Sequence, residues 1–244
     1  MAQMRNVCGL VALFALFAAP YASAQAPSPS TSKFFVFFDV GGQMNSRSLD
    51  MNSSQTVYEE TATLNASLPI GKGFVPDFGG GYRVWGNVFV GLTVSFFNDT
   101  GDASYTASIP DPLFFGRPKT VTGTVTGLKH SEVAFLPELI YARAVSDKMD
   151  IIGKIGPAII NLSQDSITSF TVPTGTQDLV VNTTSQSGTG TGFNASIGLN
   201  YNLSDRYAVG GYFRWAGASV KLDGFSDKQD VGGAQAGAGI RVNF

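Results

Sequence analysis

Residues 231–244 alternate between two kinds of side chain, and this alternation constrains the fold more than any other feature of the chain. One alternate set is apolar or small and ends in Ile240 and Phe244, whereas the other is polar or glycine and includes Gln235 and Arg241. A period of two over this length is typical of a β-strand whose two faces contact different surroundings. The chain therefore contains at least one long strand with an apolar face and a polar face.

The first 24 residues have the pattern of a secretory signal peptide. Arg5 supplies a positive charge, residues 7–19 form a short apolar stretch, and an A-x-A cleavage motif ends at Ala24. The alternative, a membrane-spanning helix, is disfavoured because the apolar stretch is shorter than the roughly 20 residues that a bilayer requires. We therefore predict that residues 1–24 are a signal peptide and that residues 25–33 form a flexible lead-in.

Cleavage at this position would leave a chain without cysteine and with a small negative charge. Cys8 is the only cysteine and lies in the signal, so disulfide and thiol chemistry are not expected in the mature protein. Arg5 is the only charged residue removed, which changes the formal net charge from −2 to −3. A chain with this charge has no polybasic surface, and nucleic acid is not an expected partner.

Alternation recurs along the rest of the chain and predicts about eight strands. After the signal no segment is apolar over the roughly 18 residues that a spanning helix needs, so a membrane can be crossed only by strands. The predicted strands are close to the roughly 9–11 residues that span a bilayer at a tilt. They lie near residues 34–44, 75–85, 88–98, 129–144, 151–162, 190–201, 207–222 and 231–244.

The connections between these strands alternate in length. Short turns fall near residues 86, 147 and 204, and longer loops near 46–73, 99–127, 163–188 and 223–230. This asymmetry, with both chain ends on the short-turn side, is expected of an up-and-down barrel with an even number of strands.

Three segments of the long loops have patterns of their own. Residues 57–68 also alternate; we interpret them as one limb of a hairpin in the first long loop, and an additional strand remains the alternative. Residues 109–119 combine three prolines with Leu113, Phe114 and Phe115. We expect them to fold over the barrel mouth rather than to contact a partner. Residues 120–127 are expected to extend the fourth strand beyond the membrane.

These features together predict an all-β protein, in which residues 34–244 form one closed antiparallel up-and-down transmembrane β-barrel of about eight strands. The signal peptide, the alternation, the loop asymmetry and the terminal Phe244 resemble the small bacterial outer-membrane β-barrel superfamily that includes the OmpA-like transmembrane barrels, here without a periplasmic domain. The resemblance implies integral location in the outer membrane, contact with its lipid, and recognition of the last strand by the barrel assembly machinery. It carries no catalytic residue.

In this arrangement the apolar set faces lipid and the other set faces the lumen; a soluble barrel would have the reverse. Aromatic residues at the short-turn ends are then predicted to form a periplasmic girdle, composed of Trp85, Tyr141, Tyr201, Tyr207 and Phe244. Eight charged residues are predicted inside the lumen, four acidic and four basic: Asp39, Asp77, Arg83, Glu132, Glu138, Lys154, Arg214 and Arg241.

The lumen of an eight-stranded barrel is just wide enough for side chains to fill it. We therefore predict a plugged lumen crossed by ion pairs, in which inward glycines make room for long arginine and lysine side chains. The same inward phase contains Phe89, Phe97, Leu136 and Ile140, which leave the alternative of a pocket or narrow channel for small hydrophobic compounds.

The sequence offers little for catalysis. His130 is the only histidine, and Ser131 points to the opposite face of the same strand, so the two do not form a nucleophile–base pair. His130 and Glu132 share a face and are expected to pair. One histidine and no mature cysteine do not match the usual zinc-ligand spacings, and neither a metal nor a cofactor is expected. The leading function is a non-enzymatic barrel with a structural or surface-interaction role for its external loops. A narrow channel is the alternative, and a lipid-modifying enzyme centred on His130 is the least favoured.

Overall fold

The computed structural model describes residues 32–71, 73–175, 178–222 and 228–244, so the predicted signal peptide and most of the lead-in lie outside the described residues. This part of the chain contains ten β-strands. They are β1 (Phe34–Gln43), β2 (Arg47–Val57), β3 (Glu60–Ile70), β4 (Phe74–Trp85), β5 (Val88–Ile109), β6 (Lys119–Ser146), β7 (Met149–Thr171), β8 (Val180–Asn202), β9 (Tyr207–Lys221) and β10 (Lys228–Asn243). Within the described ranges, no helix has both the length and the apolar character needed to cross a membrane.

Eight of the described strands close into a ring. Their order is β1, β4, β5, β6, β7, β8, β9 and β10, and β10 pairs antiparallel with β1 from Phe35 opposite Asn243 to Gln43 opposite Gln235. Each strand of the ring corresponds to one of the eight that alternation predicts. The prediction of a closed antiparallel β-barrel is therefore confirmed.

The two ends of the ring differ in their connections. Two or a few residues join β4 to β5, β6 to β7 and β8 to β9 at one end, where the Lys33 amide also donates a hydrogen bond to the Phe244 carbonyl over 2.8 Å. The other connections between neighbouring strands of the ring, from β1 to β4, β5 to β6, β7 to β8 and β9 to β10, are longer and lie at the opposite end. We call these the short-turn end and the long-loop end.

The first long connection contains a hairpin. Its strands β2 and β3 pair from Arg47 opposite Ile70 to Val57 opposite Glu60, and β3 also pairs with β5 beyond the end of β4. Residues 57–68 therefore lie largely in a hairpin that stands on the rim of the barrel, and the barrel itself keeps eight strands. The hairpin turn has positive φ at Tyr58 (52°) and Glu59 (64°).

The burial of the barrel strands is inverted relative to a soluble protein. Asp77 and Arg214 are 1% and 3% exposed, whereas the outward Trp215 and Ile240 are 50% and 54% exposed. A chain can leave large apolar side chains on its outer surface and bury charges only when that surface contacts an apolar medium. The inversion indicates a barrel that spans a membrane, as the sequence predicts.

At the long-loop end the limits predicted for β5, β7 and β8 are wrong. β5 continues to Ile109, β7 continues to Thr171 and β8 begins at Val180. The predicted extension of the fourth barrel strand over residues 120–127 is present, because β6 begins at Lys119. Most of the two central long loops are therefore strand. The prediction ended β5, β7 and β8 at the thickness of a bilayer. The hydrogen-bond ladder has no reason to stop there, because alternation with a polar outward face continues in water.

These extensions and the β2–β3 hairpin enclose an apolar interior, which we call the cap core. Its residues come from the six strands β2 to β7. They are Leu49, Met51, Ala62, Leu64, Ala66, Leu68, Ile70, Val75, Phe97, Ala103, Ala107, Ile109, Leu128, Ile167 and Phe170. The Ile167 amide donates to the Met51 sulfur over 3.3 Å, which ties the hairpin to β7. The cap is thus apolar inside and polar outside, the reverse of the barrel below it.

The prediction that residues 109–119 fold over the barrel mouth is wrong. Leu113, Phe114 and Phe115 project from the tip of the cap and are exposed. The turn is fixed by Asp111, whose Oδ1 accepts hydrogen bonds from the amides of Leu113 (2.8 Å) and Phe114 (3.1 Å). The hairpin β2–β3 covers the mouth instead.

The role predicted for the inward glycines is corrected at three positions. A Cβ at Gly79 or Gly81 would lie within 2.4 Å and 2.8 Å of the rings of Phe37 and Phe35, and one at Gly237 within 2.8 Å of the ring of Tyr212. These glycines therefore make room for aromatic rings rather than for arginine and lysine chains. Aromatic rings are the widest side chains in the lumen, so they need the facing position to be empty.

One seam of the barrel wall has an interrupted ladder. β6 and β7 pair from His130 opposite Gln164 to Phe135 opposite Ile159, and pairing resumes only at Leu139 opposite Ile155. The interruption contains Pro137 and Pro157, which have no amide hydrogen to donate. Asn194 of the next strand donates to the carbonyls of Gly156 (3.2 Å) and Pro157 (3.1 Å), so a side chain replaces part of the missing ladder.

Candidate functional site

The lumen is organised in alternating apolar and charged layers. Along β6 the inward side chains read, from the short-turn end, Ile140, Glu138, Leu136, Ala134, Glu132, His130 and Leu128. All seven are buried. Because β6 runs the length of the barrel and the cap, this order places one charged layer at the middle of the barrel and one at its mouth.

The charged layer at the middle of the barrel is centred on Arg214. We call it the central ion-pair cluster, and it consists of Asp39, Asp77, Thr93, Ser95, Glu138, Lys154, Tyr212, Arg214 and Gln235. Arg214 Nη2 lies 3.0 Å from Asp77 Oδ1 and donates to Ser95 Oγ over 2.9 Å. Its Nε donates to Gln235 Oε1 over 2.8 Å. The other carboxylate oxygen of Asp77 accepts from the Tyr212 hydroxyl over 2.7 Å. Both charges are therefore paired and hydrogen-bonded, the condition under which a buried ion pair is tolerated.

A second pair completes the central ion-pair cluster. Lys154 Nζ lies 3.8 Å from Glu138 Oε2 and 3.8 Å from the centre of the Phe37 ring. Thr93 Oγ1 donates to the same Glu138 oxygen over 2.7 Å. Asp39 lines a small cavity with Lys154. Five of the eight charged residues that the sequence placed in the lumen thus meet in this cluster.

A separate ion pair lies at the short-turn end. Arg241 Nη2 donates to Asp150 Oδ2 over 2.5 Å and to Asn202 Oδ1 over 3.3 Å. Arg83 lies beside it with its guanidinium carbon 5.0 Å from the centre of the Phe89 ring. Phe35, Phe37, Phe89, Ile140 and Ile152 form the apolar layer associated with this end of the lumen.

At the mouth, the hairpin of the cap reaches into the barrel. Arg47 Nη1 donates a hydrogen bond to the Gly232 carbonyl over 2.5 Å, and Arg47 Nη2 donates one to Glu132 Oε1. Arg47 Nη2 also lies 3.1 Å from His130 Nε2. Glu132 Oε2 accepts from the Gly232 amide over 3.0 Å. We call Arg47, His130, Glu132 and Gln164 the mouth cluster. It joins the hairpin to β6 and β10 through Arg47 and Glu132, and to β7 through His130 and Gln164.

His130 is held on both ring nitrogens. Nε2 lies 2.6 Å from Glu132 Oε1, as the shared face predicts, and Nδ1 contacts the Gln164 side-chain oxygen. The outward face of β6 is apolar at Val133 and becomes polar at Ser131, which marks the edge of the membrane on this strand. His130 lies beyond that edge, on the side of the long loops, and so outside the membrane. Burial lowers the pKa of His130 to about 4; the Gln164 hydrogen bond opposes this shift and the Arg47 charge reinforces it. These contacts hold the imidazole in place and bring no hydroxyl nucleophile to it.

The four residues of the predicted apolar pocket lie in two pairs and do not line one common cavity. Phe89 and Ile140 belong to the layer near the short-turn end, Leu136 to an apolar cluster on one wall, and Phe97 to the cap core. All four are buried. Phe97 and Leu136 line one cavity of about 10 Å³, and Glu132 and Arg214 line the same cavity, so charged groups interrupt the apolar surface.

Sequence reasoning missed two residues that hold the lumen together. Asp150 lies one residue before the predicted fifth strand and shares the inward phase of Ile152 and Lys154, so extending the alternation by one residue includes it. Arg47 lies in a predicted loop. No periodicity in the sequence indicates that this side chain turns back into the barrel.

The predicted girdle residues lie together at the short-turn end. Trp85, Tyr201, Tyr207 and Phe244 are exposed on the outer surface and Tyr141 is half-buried. Phe244 stacks on Phe34 with ring centres 4.6 Å apart, which packs the two ends of the barrel chain side by side.

The space left between the side chains is small. Cavities along the described lumen and mouth measure about 40, 30, 10 and 20 Å³. A water molecule needs roughly 10–15 Å³ of such space, so each cavity holds a few waters at most. No group of three or more histidine, cysteine, aspartate or glutamate residues suited to a metal ion is found among the described residues.

Comparison with known families agrees with this architecture. Residues 9–244 match the model of the outer membrane protein beta-barrel domain. The chain belongs to this outer-membrane β-barrel family. The protein is therefore an integral protein of the bacterial outer membrane, with its short-turn end on the periplasmic side and its cap outside the cell.

The chain is similar to several solved structures, including the following three. OprG of Pseudomonas aeruginosa has 8% identity and a TM-score of 0.50, with 90% of this chain and 99% of that chain covered. Neisserial surface protein A has 15% identity and a TM-score of 0.45, with coverages of 87% and 98%. Ail, the attachment invasion locus protein of Yersinia pestis, solved with a heparin analogue, has 12% identity and a TM-score of 0.37, with coverages of 86% and 99%. A search of the curated proteins finds no match.

Proposed function

We propose that this outer-membrane barrel is non-enzymatic, that its lumen is closed by side chains, and that it acts through its external cap in a structural or surface-interaction role. The observation that carries the proposal is Arg47, which reaches from the cap hairpin into the barrel and pairs with Glu132 at the mouth. The mouth cluster lies above the central ion-pair cluster, so a solute would have to displace two charged layers. Displacing one partner of a buried pair costs about 3–5 kcal/mol, which opposes passage.

The cap supports the surface role. Its apolar interior is as well buried as the core of a soluble domain, with Leu64, Ala107 and Ile109 all at 0% exposure. An external region of this kind is a rigid scaffold and holds its outer loops in fixed positions. The surroundings of His130 support the non-enzymatic part, because its contacts are an arginine, a carboxylate and an amide.

Ion conductance tests the closed lumen. The purified protein is inserted into planar lipid bilayers and compared with an Arg47→Ser/Glu132→Ser variant, in which both members of the mouth pair are removed. We expect no steps of porin size from the wild type, and at most small, brief openings from the variant. Steady porin-sized steps from the wild type would contradict the proposal.

A second candidate, passage of small hydrophobic compounds, is favoured by one observation, the interrupted ladder between β6 and β7 at Pro137 and Pro157. Such a seam gives an apolar solute a place to leave the barrel sideways into the bilayer. Uptake of a hydrophobic dye into protein-containing vesicles tests it. Uptake above that of protein-free vesicles would favour this candidate, and equal uptake would leave the surface role as the better account.

A further inference from the structure

Among the described residues of the cap, the most exposed apolar side chains lie at its tip, in the loop between β5 and β6. Leu113 and Phe115 are 83% and 81% exposed and Phe114 is 57% exposed. Trp85, a residue of the predicted periplasmic girdle, has the same exposure of 83%. Three consecutive apolar side chains at this exposure need a partner to cover them.

The membrane that the barrel spans is too far away to cover the tip. Phe96 is the last outward aromatic residue of β5 in the apolar band, and Ile109, at the base of the tip, follows it by 13 residues. At a rise of about 3.4 Å per residue and a tilt of about 35–45°, the tip stands roughly 30–35 Å above that band. The partner therefore lies beyond the cell's own bilayer.

The tip is held rigid before any partner arrives. Besides the two amide hydrogen bonds to Asp111, the Gly116 amide donates to Glu60 Oε1 over 2.9 Å, which ties the loop to β3 of the hairpin. The guanidinium carbon of Arg117 lies 5.6 Å from the centre of the Phe114 ring. Gly116 has a φ of 72°, and prolines at 110, 112 and 118 restrict the rest of the backbone. Little conformational entropy remains to be lost when the tip binds.

The charges around the tip indicate the kind of surface that it fits. Arg117 and Lys119 lie exposed at its shoulder, directly behind the apolar residues. The neighbouring acids Asp111 and Glu60 instead accept hydrogen bonds from backbone amides of the loop. Aromatic and leucine side chains in front of basic side chains form the arrangement that enters a lipid interface, with the cations at the phosphates. A convex tip also needs no matching pocket, which a protein partner would have to provide.

We propose that residues 113–115 insert into a second phospholipid surface that faces the cell, with Arg117 and Lys119 at its headgroups. This inference rests on the proposed surface role and names its partner. It is independent of the closed lumen, so absence of lipid binding by the tip would leave the conductance prediction standing.

The test uses the whole protein in nanodiscs of unlabelled phosphatidylcholine, mixed with separate vesicles of phosphatidylcholine and phosphatidylglycerol that carry brominated acyl chains. In the Phe115→Trp variant we expect the bromines to quench the new tryptophan. Trp85 and Trp215 lie in the nanodisc membrane, so the wild type is the control in which vesicle bromine reaches no tryptophan. Equal, negligible quenching in the variant and the wild type would overturn the proposal.

Flotation of the nanodiscs with the same vesicles gives the energetic test. Leu113→Ser/Phe115→Ser is expected to weaken vesicle binding at least tenfold, because both side chains would enter the acyl region. Val180→Ser, at an exposed residue elsewhere on the cap, is the matched control and is expected to leave binding unchanged. Arg117→Ser is expected to weaken binding to anionic vesicles more than to neutral ones. Unchanged flotation of the double variant, or equal loss with Val180→Ser, would refute insertion of the tip.

Discussion

Removing one partner of the pair at the centre of the lumen is predicted to destabilise the barrel severely. Arg214 and Asp77 are 3.0 Å apart, and both are almost completely buried. Two unit charges at 3.0 Å attract by about 5.5 kcal/mol at an effective dielectric constant of about 20, but only by about 1.4 kcal/mol in water. The size of the effect therefore distinguishes a side-chain-filled lumen from a water-filled one.

We expect Asp77→Ala to lower the free energy of unfolding by about 3–5 kcal/mol, because it leaves Arg214 charged and the Tyr212 hydroxyl without its acceptor. Arg214→Met is expected to cost a similar amount. The double variant is expected to lose less than the sum of the two, with a coupling energy of at least about 2 kcal/mol. Asp230→Ala, at an exposed acid that accepts a hydrogen bond from the Ser219 hydroxyl, is the control and is expected to change stability by less than about 0.5 kcal/mol.

Urea unfolding in lipid vesicles, followed by the fluorescence of Trp85 and Trp215, measures all four stabilities. Both tryptophans lie on the outer surface, so the substitutions do not touch the reporters. Additive single effects, with a coupling energy below about 0.5 kcal/mol, would match a solvent-screened pair. That result would refute the reasoning and would indicate a hydrated lumen.

The remaining predictions concern the cap and the mouth cluster. Glu59→Gly is expected to raise the free energy of unfolding by about 1 kcal/mol in the same urea assay, because φ at this position is 64°; a loss of stability would contradict this. Arg47→Ser is expected to speed amide hydrogen exchange in β2 and β3 and not in β9; uniform protection would show that Arg47 does not anchor the hairpin. Because the pKa of His130 is lowered to about 4, its imidazole NMR signal is expected to stay unchanged from pH 8 to pH 5. The free energy of unfolding is expected to fall as pH drops from about 6.5 toward 4, because the histidine then binds a proton in the unfolded chain and not in the folded one. His130→Gln is expected to remove this contribution to the pH dependence of stability, and an imidazole titration midpoint near 6.5 in the folded protein would contradict the prediction.

Alternation in the sequence was sufficient to predict the barrel strands, because lipid and lumen impose opposite requirements on neighbouring residues. It also placed residues 57–68 in a hairpin, since the parity of the other strands leaves no place for a ninth. The predicted β5, β7 and β8 are too short at the long-loop end, because alternation was followed there only over the thickness of a bilayer, whereas the extension of β6 over residues 120–127 is as predicted. In the cap the apolar set moves to the inside, and this inversion marks the membrane boundary along each strand.

The sequence predicts which charged residues face the lumen, but it does not predict which of them form ion pairs with one another. Alternation predicts that Asp77, Glu138, Lys154 and Arg214 face inward at a similar depth. It does not predict that Arg214 pairs with Asp77 and Lys154 with Glu138. Those choices depend on the stagger between strands, which is set by closure of the ring. The role of Arg47 could not be predicted from the sequence, because periodicity does not indicate that a side chain of a loop hairpin turns back into the barrel.

Accessibility of the lumen to a small reagent tests the central claim most directly. The mature chain is predicted to lack cysteine, so a single thiol can be placed by Ala134→Cys, inside the barrel between the central ion-pair cluster and the mouth cluster, and compared with Ser185→Cys on the exposed face of the cap. The folded protein in lipid vesicles is treated with a small charged methanethiosulfonate, and the urea-unfolded protein gives the full rate. We predict that the thiol at position 185 reacts at close to the full rate and the thiol at position 134 at least a hundredfold more slowly. Labelling at both positions at similar rates would contradict a lumen closed by side chains.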